Sequence, residues 1–319
     1  MQEIHYGRKK NGIRRDLKKK IEEWLETIAD EDVRKAAARD TIVTGGAIAS
    51  MLLGDQVNDY DVYFRTKATT KLVAEYYVTK FNEKNGELKV GDATTPYKPF
   101  VKEEVIANIK GVSEERVVIY MKSAGVAGEE QEVYEYFEMR GADDVSDFAE
   151  SLKADEESAA QVGEKYRPIF LSQNAITLSN KMQIVIRFYG EPTQIHDNYD
   201  FAHAMCWYDY FSNTLELPAQ ALECLLSRTL IYRGSLYPVA SIFRTKKFLE
   251  RGWRITAGQL IKIMWQISEI DLKDYKVMRE QLTGVDQAYM HQLVSALKDV
   301  DPEKINSTYI SEIIDRIFD

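Results

Sequence analysis

A glycine pair followed by two closely spaced aspartates restricts what this chain can fold into more than any other feature. The glycines, Gly45 and Gly46, lie between an apolar segment, Thr41–Val43, and a short apolar run that ends in Leu-Leu-Gly. The aspartates, Asp59 and Asp61, are one residue apart at the start of a second apolar segment. This order predicts a strand, a tight turn, a short helix and a second strand. Alternate side chains of a strand share a face, so both carboxylates should point the same way.

This arrangement favours phosphate and metal chemistry. Two like charges held close together repel each other, and a divalent cation is the usual compensation. Glycines at the head of a helix let backbone N–H groups approach a phosphate with no Cβ in the way. The pattern therefore predicts a phosphate cradle beside a hard-metal site, as phosphoryl or nucleotidyl transfer requires. A tight turn followed by a solvated strand end is the alternative explanation.

Three segments together resemble a known enzyme superfamily. Gly-Gly, a short helix ending in Leu-Leu-Gly, and Asp-x-Asp resemble the first motif of the polymerase-beta-like nucleotidyltransferases, in particular the head of CCA-adding enzymes and bacterial poly(A) polymerases. Residues 200–208 resemble the second motif of that family, and residues 238–255 resemble its neck motif. The three segments occur in the family's order and together span about half of the chain.

The resemblance implies an α+β fold. We expect a polymerase-beta-like nucleotidyltransferase head, with a mixed sheet and flanking helices, followed by an all-helical C-terminal part. The corresponding division is a basic N-terminal helical arm at residues 1–40, a head at 41–211 and a helical neck and C-terminal domain at 212–319. An insertion at about 87–165 lengthens the head beyond the family's usual size.

The resemblance also implies a reaction. It is the metal-dependent transfer of a nucleoside monophosphate from a nucleoside triphosphate such as ATP to an RNA 3′ end, with release of pyrophosphate. Asp59 and Asp61 are the expected catalytic residues and the expected ligands of Mg²⁺ or Mn²⁺. Magnesium prefers hard oxygen ligands and keeps several waters, so few protein carboxylates are needed.

The resemblance implies nucleotide contacts at the positions of this chain that match the family's motifs. The resemblance places six residues at the nucleotide: Gly45, Gly46, Ser50, Asp200, Arg244 and Lys247. The chain departs from the family at other positions. Ala49-Ser50 stands where the family has Arg-Asp, and Asn198-Tyr199 replaces the two arginines before the second-motif aspartate. A cationic phosphate contact is thereby lost, for which Arg65 or Lys67 could substitute.

Further polar residues leave alternatives open. Asp197 or Asp200 could act as a third acidic group, which many members of the superfamily have on a neighbouring strand. His196 and His203 flank Asp200 and suggest a metal or acid–base role. We favour the simpler interpretation that Asp200 caps a helix and that the imidazoles are partly buried.

Charge and composition limit the possible partners and the cellular compartment of the protein. The net charge is −9, yet the first 20 residues carry eight Lys and Arg against Glu3 and Asp16. A basic arm on an acidic body suits a phosphate backbone, whereas a solubilising amphipathic helix is an equally good explanation. The two cysteines have no metal-ligand spacing and suggest no disulfide. No segment resembles a membrane span or a signal peptide, so a cytoplasmic protein without a membrane partner is expected.

Element predictions complete the analysis. A hairpin is predicted from Arg116–Ser123 and residues 132–140, followed by an acidic loop or helix face at 141–165. Two more strands are predicted, one at residues 167–171 that leads into 175–178 and one at residues 182–188. Helices are predicted at residues 13–29, 32–38, 67–82, 201–211, 219–231, 238–251, 256–270, 272–282, 286–297 and 306–318.

Two other functions remain open. One is a nucleotidyltransferase that modifies a protein or a small molecule. The other is a catalytically inactive member that binds nucleic acid or a protein partner. The departures at Ala49, Asn198 and Tyr199 favour the inactive member, whereas retention of Asp59 and Asp61 favours an active transferase.

Overall fold

The computed structural model describes residues 7–85, 97–107, 113–123, 165–282, 300 and 306–318. Within these residues the fold is α+β, as predicted, with a mixed sheet flanked by helices. The predicted helix at 286–297, the predicted strand at 132–140 and nearly all of the acidic run at 141–165 lie outside the described residues. Among the described helices, none combines the length and apolar character needed to cross a membrane.

The first half of the chain follows the predicted order closely. It contains α1 (Lys10–Glu26), α2 (Glu31–Asp40), β1 (Thr41–Thr44), α3 (Gly46–Leu53), β2 (Tyr60–Phe64), α4 (Lys67–Asn85), β3 (Tyr97–Ala107) and β4 (Ser113–Ser123).

The second half alternates short strands with helices. It contains β5 (Pro168–Leu171), β6 (Ala175–Leu178), β7 (Met182–Val185), α5 (Pro192–His196), β8 (Trp207–Asp209), β9 (Thr214–Glu216), α6 (Ala219–Ser227), β10 (Thr229–Leu230), α7 (Pro238–Glu250), β11 (Arg254–Ile255), α8 (Ala257–Ser268), α9 (Tyr275–Gln281) and α10 (Ser307–Phe318).

One sheet of seven described strands organises the protein, in the order β5-β6-β7-β2-β1-β8-β9. The β2–β7 pair is parallel, and the other neighbours in this sheet are antiparallel. Strand β2 therefore lies at the centre, hydrogen-bonded to β1 on one side and to β7 on the other. Any side chain that β2 presents is framed by two neighbouring strands.

The two faces of β2 have different surroundings because its side chains alternate. Val62 and Phe64 are fully buried in the main core, together with Val43 of β1. Asp61 and Tyr63 point to the opposite face, where Tyr63 packs with Ile42 and with Ile195 of α5. The large core thus holds the strand from one side and leaves the other side for polar side chains.

Helix α1 packs into the main core of the protein. Ile13, Leu17, Ile21 and Trp24 repeat at helical spacing and are at most 1% exposed. Trp24 also donates a 2.7 Å hydrogen bond from Nε1 to the Tyr77 hydroxyl of α4. The basic residues of α1 therefore project from a core helix.

The insertion contains a hairpin different from the predicted one. Strand β4 includes the predicted Arg116–Ser123, but its partner is β3, in an antiparallel register from Tyr97↔Ser123 to Ala107↔Ser113. The sequence gives a weak signal for β3 because Pro99 cannot donate a ladder hydrogen bond and charged residues interrupt its alternation. The predicted partner of β4, residues 132–140, lies outside the described residues.

The predicted helix at 201–211 is also wrong. Residues Ala202–Ala204 form a single 3₁₀ turn, and the chain then extends into β8 beside β1. Strand β9 carries the sheet past residue 211, and β10 pairs with β11. The part after residue 212 is therefore mostly helical but not all-helical.

His203 shows how this 3₁₀ turn is held against the C-terminal helices. Its ring centroid lies 4.5 Å from that of Phe248 in α7 and 4.7 Å from that of Trp253. The residue is 3% exposed, and its Nδ1 is buried without a hydrogen-bond partner among the described residues. Burial lowers the pKa of this imidazole to about 4, which Asp200 only partly opposes. This matches the simpler interpretation of a buried histidine.

The role of α1 in the core gives a matched pair of stability predictions. Ile21→Ala should lower the free energy of unfolding by about 2–5 kcal/mol, because it opens a cavity at a site 1% exposed. Lys19→Ala should change it by less than about 0.5 kcal/mol, since the Lys19 side chain is 77% exposed. Urea unfolding followed by circular dichroism measures both, and similar losses in the two variants would contradict a core role for α1.

The burial of His203 predicts that the stability of the protein falls in acid. Its folded-state pKa lies below the ordinary 6.5, so the unfolded chain takes up the proton first as the pH falls. The contribution of the neutral His203 side chain to the free energy of unfolding is complete above pH 6.5 and is lost as the pH falls towards 4. Between pH 7.5 and 5, His203→Leu should therefore lose about 1–2 kcal/mol less unfolding free energy than the parent. Parallel pH profiles in urea titrations would refute this.

Candidate functional site

Gly45 joins β1 to α3 and brings the helix head against Asp61. Its φ of +95° lies in the region that favours glycine. A Cβ at this position would lie 2.8 Å from Oδ2 of Asp61 and 3.5 Å from the Tyr199 hydroxyl. Any side chain at position 45 would therefore collide with the carboxylate, and only glycine allows this approach.

Gly46 occupies a different environment. It is exposed, and a Cβ built on it would meet no atom within 4 Å. The surface is therefore open at Gly46, whereas Ala47, the next residue of α3, is buried. Ser50 is half-buried and lies one turn further along, four residues after Gly46, so both belong to one helix face.

The two aspartates are electrostatically coupled. Asp59 immediately precedes β2 and is exposed, whereas Asp61 lies within the strand and is half-buried. Burial of its carboxyl raises the pKa of Asp61 to about 7, and repulsion from Asp59 adds to this shift. Desolvation also raises the pKa of Asp59, with Lys181 opposing it. The pair thus lacks sufficient positive charge around it.

The strands beside Asp61 provide no third carboxylate. Thr44 of β1 and Gln183 of β7 are its register partners. Asp197 is exposed at the C-terminal end of α5, and Asp200 is held by Arg244. In the described part of the chain, no three Asp, Glu, His or Cys residues are grouped so that they could hold a metal ion. The predicted third acid therefore has no support among these residues.

A layer of hydroxyl and imidazole groups lies beside Asp61. Tyr199 donates a hydrogen bond to the Tyr63 hydroxyl, with 3.2 Å between the oxygens. Thr44 Oγ1 lies 2.8 Å from Nε2 of His196 and 2.9 Å from the carbonyl oxygen of Cys206. Burial lowers the pKa of His196 to about 4, so this imidazole is neutral at pH 7. His196 thus has a structural hydrogen bond, as in the simpler of the two interpretations.

Sequence reasoning missed the role of both tyrosines. Tyr63 follows Asp61 by two residues in β2, so strand alternation alone places them on one face. Tyr199 stands where the resembling family has an arginine, and the structure places its hydroxyl beside Gly45. Burial raises the pKa of both phenols, and the charge of Asp61 adds to it, so both remain protonated near neutral pH. The site therefore has two neutral donors where a cation was expected.

Two of the predicted nucleotide contacts are paired with each other. Arg244 of α7 donates from Nη1 to Oδ2 of Asp200 at 2.5 Å. The Asp200 side chain is 13% exposed and that of Arg244 is 33% exposed. Lys247 follows one turn later and is exposed. This ion pair fixes the start of the second motif against the neck helix.

Arg65 and Lys67, the suggested substitutes for the missing cation, are engaged elsewhere. Arg65 donates from both terminal nitrogens to Asp209, at 3.2 and 3.0 Å, and from Nε to Glu191. Lys67 lies 2.6 Å from a carboxylate oxygen of Glu115. Both side chains join structural elements through carboxylates, so neither takes over the phosphate contact.

These observations fit a divalent cation and a phosphate. The donor set is two carboxylates whose pKa values are raised by desolvation; repulsion from Asp59 adds to the shift at Asp61, and a bound cation would relieve it. The cradle is the glycine turn, where a Cβ at Gly45 would occupy the space beside Asp61. The two features meet at one point in the fold, the junction of β1, α3 and β2.

Comparisons with known proteins identify a family. A family model described as "Gabija anti-defense 2 family protein" matches residues 15–228. A curated relative, Gabija anti-defense 2 of Bacillus phage SPbetaL7, is 21% identical over 141 residues, which is 44% of this chain and 34% of the relative. The matched stretch thus spans about a third of the length of this relative.

A solved structure also resembles this chain weakly. It is the CCA-adding enzyme of Bacillus stearothermophilus in complex with CTP, at 13% identity and a TM-score of 0.33. The match covers 86% of this chain and 51% of that enzyme, and its TM-score is too low to carry an argument. The family match, by contrast, covers more than half of the chain and includes the glycine turn and both aspartates. The chain therefore belongs to the Gabija anti-defense 2 family.

Proposed function

We propose that the protein is a metal-dependent nucleotidyltransferase with a polymerase-beta-like head, and that its reaction counteracts the Gabija defence named in the family description. The observation that carries the proposal is the meeting of the Gly45 turn with Asp61, beside Asp59. The motif resemblance of the glycine turn, the second motif and the neck supports the same reaction.

The proposed reaction is a single displacement. The acceptor hydroxyl gives up its proton to water, its oxygen forms a bond to the α-phosphorus of a nucleoside triphosphate, and the bond from that phosphorus to the bridging oxygen breaks, releasing pyrophosphate. Asp59 and Asp61 would hold Mg²⁺ or Mn²⁺, which supplies charge neutralisation and activation of the hydroxyl. The amides at Gly46 and the first turn of α3 orient the triphosphate, with Ser50 on the same helix face.

An RNA 3′ end is the acceptor that we put first. The exposed side of α1 carries Arg14, Arg15, Lys18 and Lys19, and Lys247 and Arg251 are exposed at the end of α7. These cations suit a phosphate backbone, although Glu22 and Glu23 lie within 4 Å of Lys18 and Lys19 and reduce their net effect. The family description instead favours a protein acceptor or partner belonging to the defence system. A small-molecule acceptor and a catalytically inactive binding protein are the remaining alternatives.

The aspartate pair gives the first functional prediction. Asp59→Asn combined with Asp61→Asn should reduce transfer of α-³²P-labelled nucleotide by about 1,000-fold or more, because several kcal/mol of transition-state charge stabilisation is removed. All four triphosphates should be tried with Mg²⁺ or Mn²⁺, and with RNA, transfer RNA and a protein extract as acceptors. The circular dichroism of the double variant should match that of the parent.

Asp197→Asn is the matched control, since it removes an exposed carboxylate that the sequence suggests as a third acid. It should transfer at the parental rate. Label in RNA supports the RNA acceptor, and label in protein supports the second alternative. Equal transfer by the parent and the double aspartate variant would exclude this carboxylate pair as the catalytic site, and transfer by neither would favour the inactive binding protein.

A second prediction connects the chemistry to the defence. In bacteria that carry the Gabija system, expression of the parent protein should restore plaque formation by a phage that the system blocks. The Asp59→Asn, Asp61→Asn variant at equal abundance should not restore it, because on this proposal the reaction itself counteracts the defence. Equal restoration by both proteins would separate the anti-defence role from the aspartates and indicate a binding mechanism.

A further inference from the structure

We infer that the Tyr63 and Tyr199 hydroxyls form a neutral phosphate-binding pair, which donates a hydrogen bond to the triphosphate at the head of α3. The inference rests on the proposed function and extends it to residues outside the family motifs. It explains how a site that lacks the expected arginine could still hold a phosphate.

The placement of the pair is the first argument. The Tyr199 hydroxyl lies 3.5 Å from the position of a Cβ on Gly45, on the side where Oδ2 of Asp61 lies 2.8 Å away. Tyr63 shares the face of Asp61 in β2 and is 7% exposed. The Tyr199 hydroxyl therefore borders the space beside Gly45 and Asp61, and the Tyr63 hydroxyl lies 3.2 Å from it.

Hydrogen-bond accounting is the second argument. Two phenol groups supply two donor hydrogens, and their mutual hydrogen bond uses one of them. Among the described residues, neither hydroxyl donates to a carbonyl or a carboxylate, Asp61 included. One donor of the pair therefore remains for a group that enters the site, and an unused donor at a largely buried position favours such a partner.

The helix head beside the pair favours an anion as that partner. Neither phenol donates to Asp61 among the described residues, so the unused hydrogen can meet an incoming acceptor. A phosphate oxygen is such an acceptor, and the N-terminus of α3 favours negative charge at the same place. Arg244 of the neck helix is bound to Asp200. The nucleotide is the expected source of the phosphate because the pair borders the glycine turn.

Binding measured without turnover tests the pair. The parent, Tyr63→Phe, Tyr199→Phe and the double variant should be titrated with each nucleoside triphosphate and with inorganic tripolyphosphate, in Mg²⁺ and without acceptor. Because Tyr199 donates to Tyr63, the unused hydrogen is that of Tyr63, and Tyr63→Phe should weaken binding by about 10- to 100-fold, the cost of one hydrogen bond to a charged group. Tyr199→Phe should cost less, and the double variant should bind no more weakly than the worse single variant.

Tyr208→Phe is the matched control, since it removes another buried phenol hydroxyl, one that donates to Asn213 at 3.0 Å on the core face of the sheet. It should bind triphosphate like the parent. The midpoint temperature of thermal unfolding of every variant should stay within a few degrees of that of the parent. A loss of binding can then be distinguished from a loss of folding.

The remaining outcomes separate the inference from the proposed function. Binding within twofold of the parent in both single variants would overturn the inference and leave the proposed function standing. The inference also fails if the Tyr63 and Tyr199 variants lose binding of an RNA oligonucleotide but keep binding of triphosphate and tripolyphosphate. It fails equally if Tyr208→Phe weakens triphosphate binding as much as these variants do. A parent protein that binds no triphosphate under any of these conditions would instead overturn the proposed function.

Discussion

The approach of Gly45 to Asp61 is the constraint on which the rest of the site depends. A backbone with φ of +95° and no Cβ lets the turn after β1 lie against a carboxylate on β2. The Gly45 amide donates to the carbonyl oxygen of Ala204 at 3.2 Å, so the same turn is also fastened to the segment that leads into β8. Three parts of the chain that are distant in sequence thus meet at one residue. The direction of α3, and with it the exposure of Gly46, follows from this junction.

Strand β2 makes that junction a chemical site because one of its faces packs in the core and the other presents polar side chains. Val62 and Phe64 lock the strand into a core shared with α1 and α4, which fixes the backbone. Asp61 and Tyr63 then point to the other side, where Tyr63 packs against Ile42 and Ile195. Burial raises the pKa of Asp61 to about 7, so the fold holds a carboxylate where it is poorly solvated. Such a cost is common at functional sites and is relieved when a cation binds.

Local sequence patterns were sufficient to predict the strands and helices around this site. The pairing of strands that are distant in the sequence could not be predicted. The helix α1, the β1-α3-β2 unit and the extended segments around β5 to β7 follow from periodicity and turn residues, because each pattern lies within a few neighbouring positions; the first of the two predicted strands is divided into β5 and β6. The predicted helix at 201–211 is wrong because pairing with β1 makes Trp207–Asp209 a strand. Arg65 could not be placed from sequence, since its bidentate partner, Asp209, lies on β8.

The replacement of an arginine by tyrosine changes the electrostatics of the proposed reaction. A triphosphate brought near Asp59 and Asp61 meets like charge, and a neutral hydroxyl offers a hydrogen bond but no compensating charge. With Arg244 bound to Asp200, most of the compensation has to come from the metal ion. Nucleotide and metal should therefore bind cooperatively, because each reduces the repulsion that the other meets. In the proposed reaction, this coupling would make the paired carboxylates necessary for binding as well as for chemistry, and it would give Asp59 a role although it is exposed.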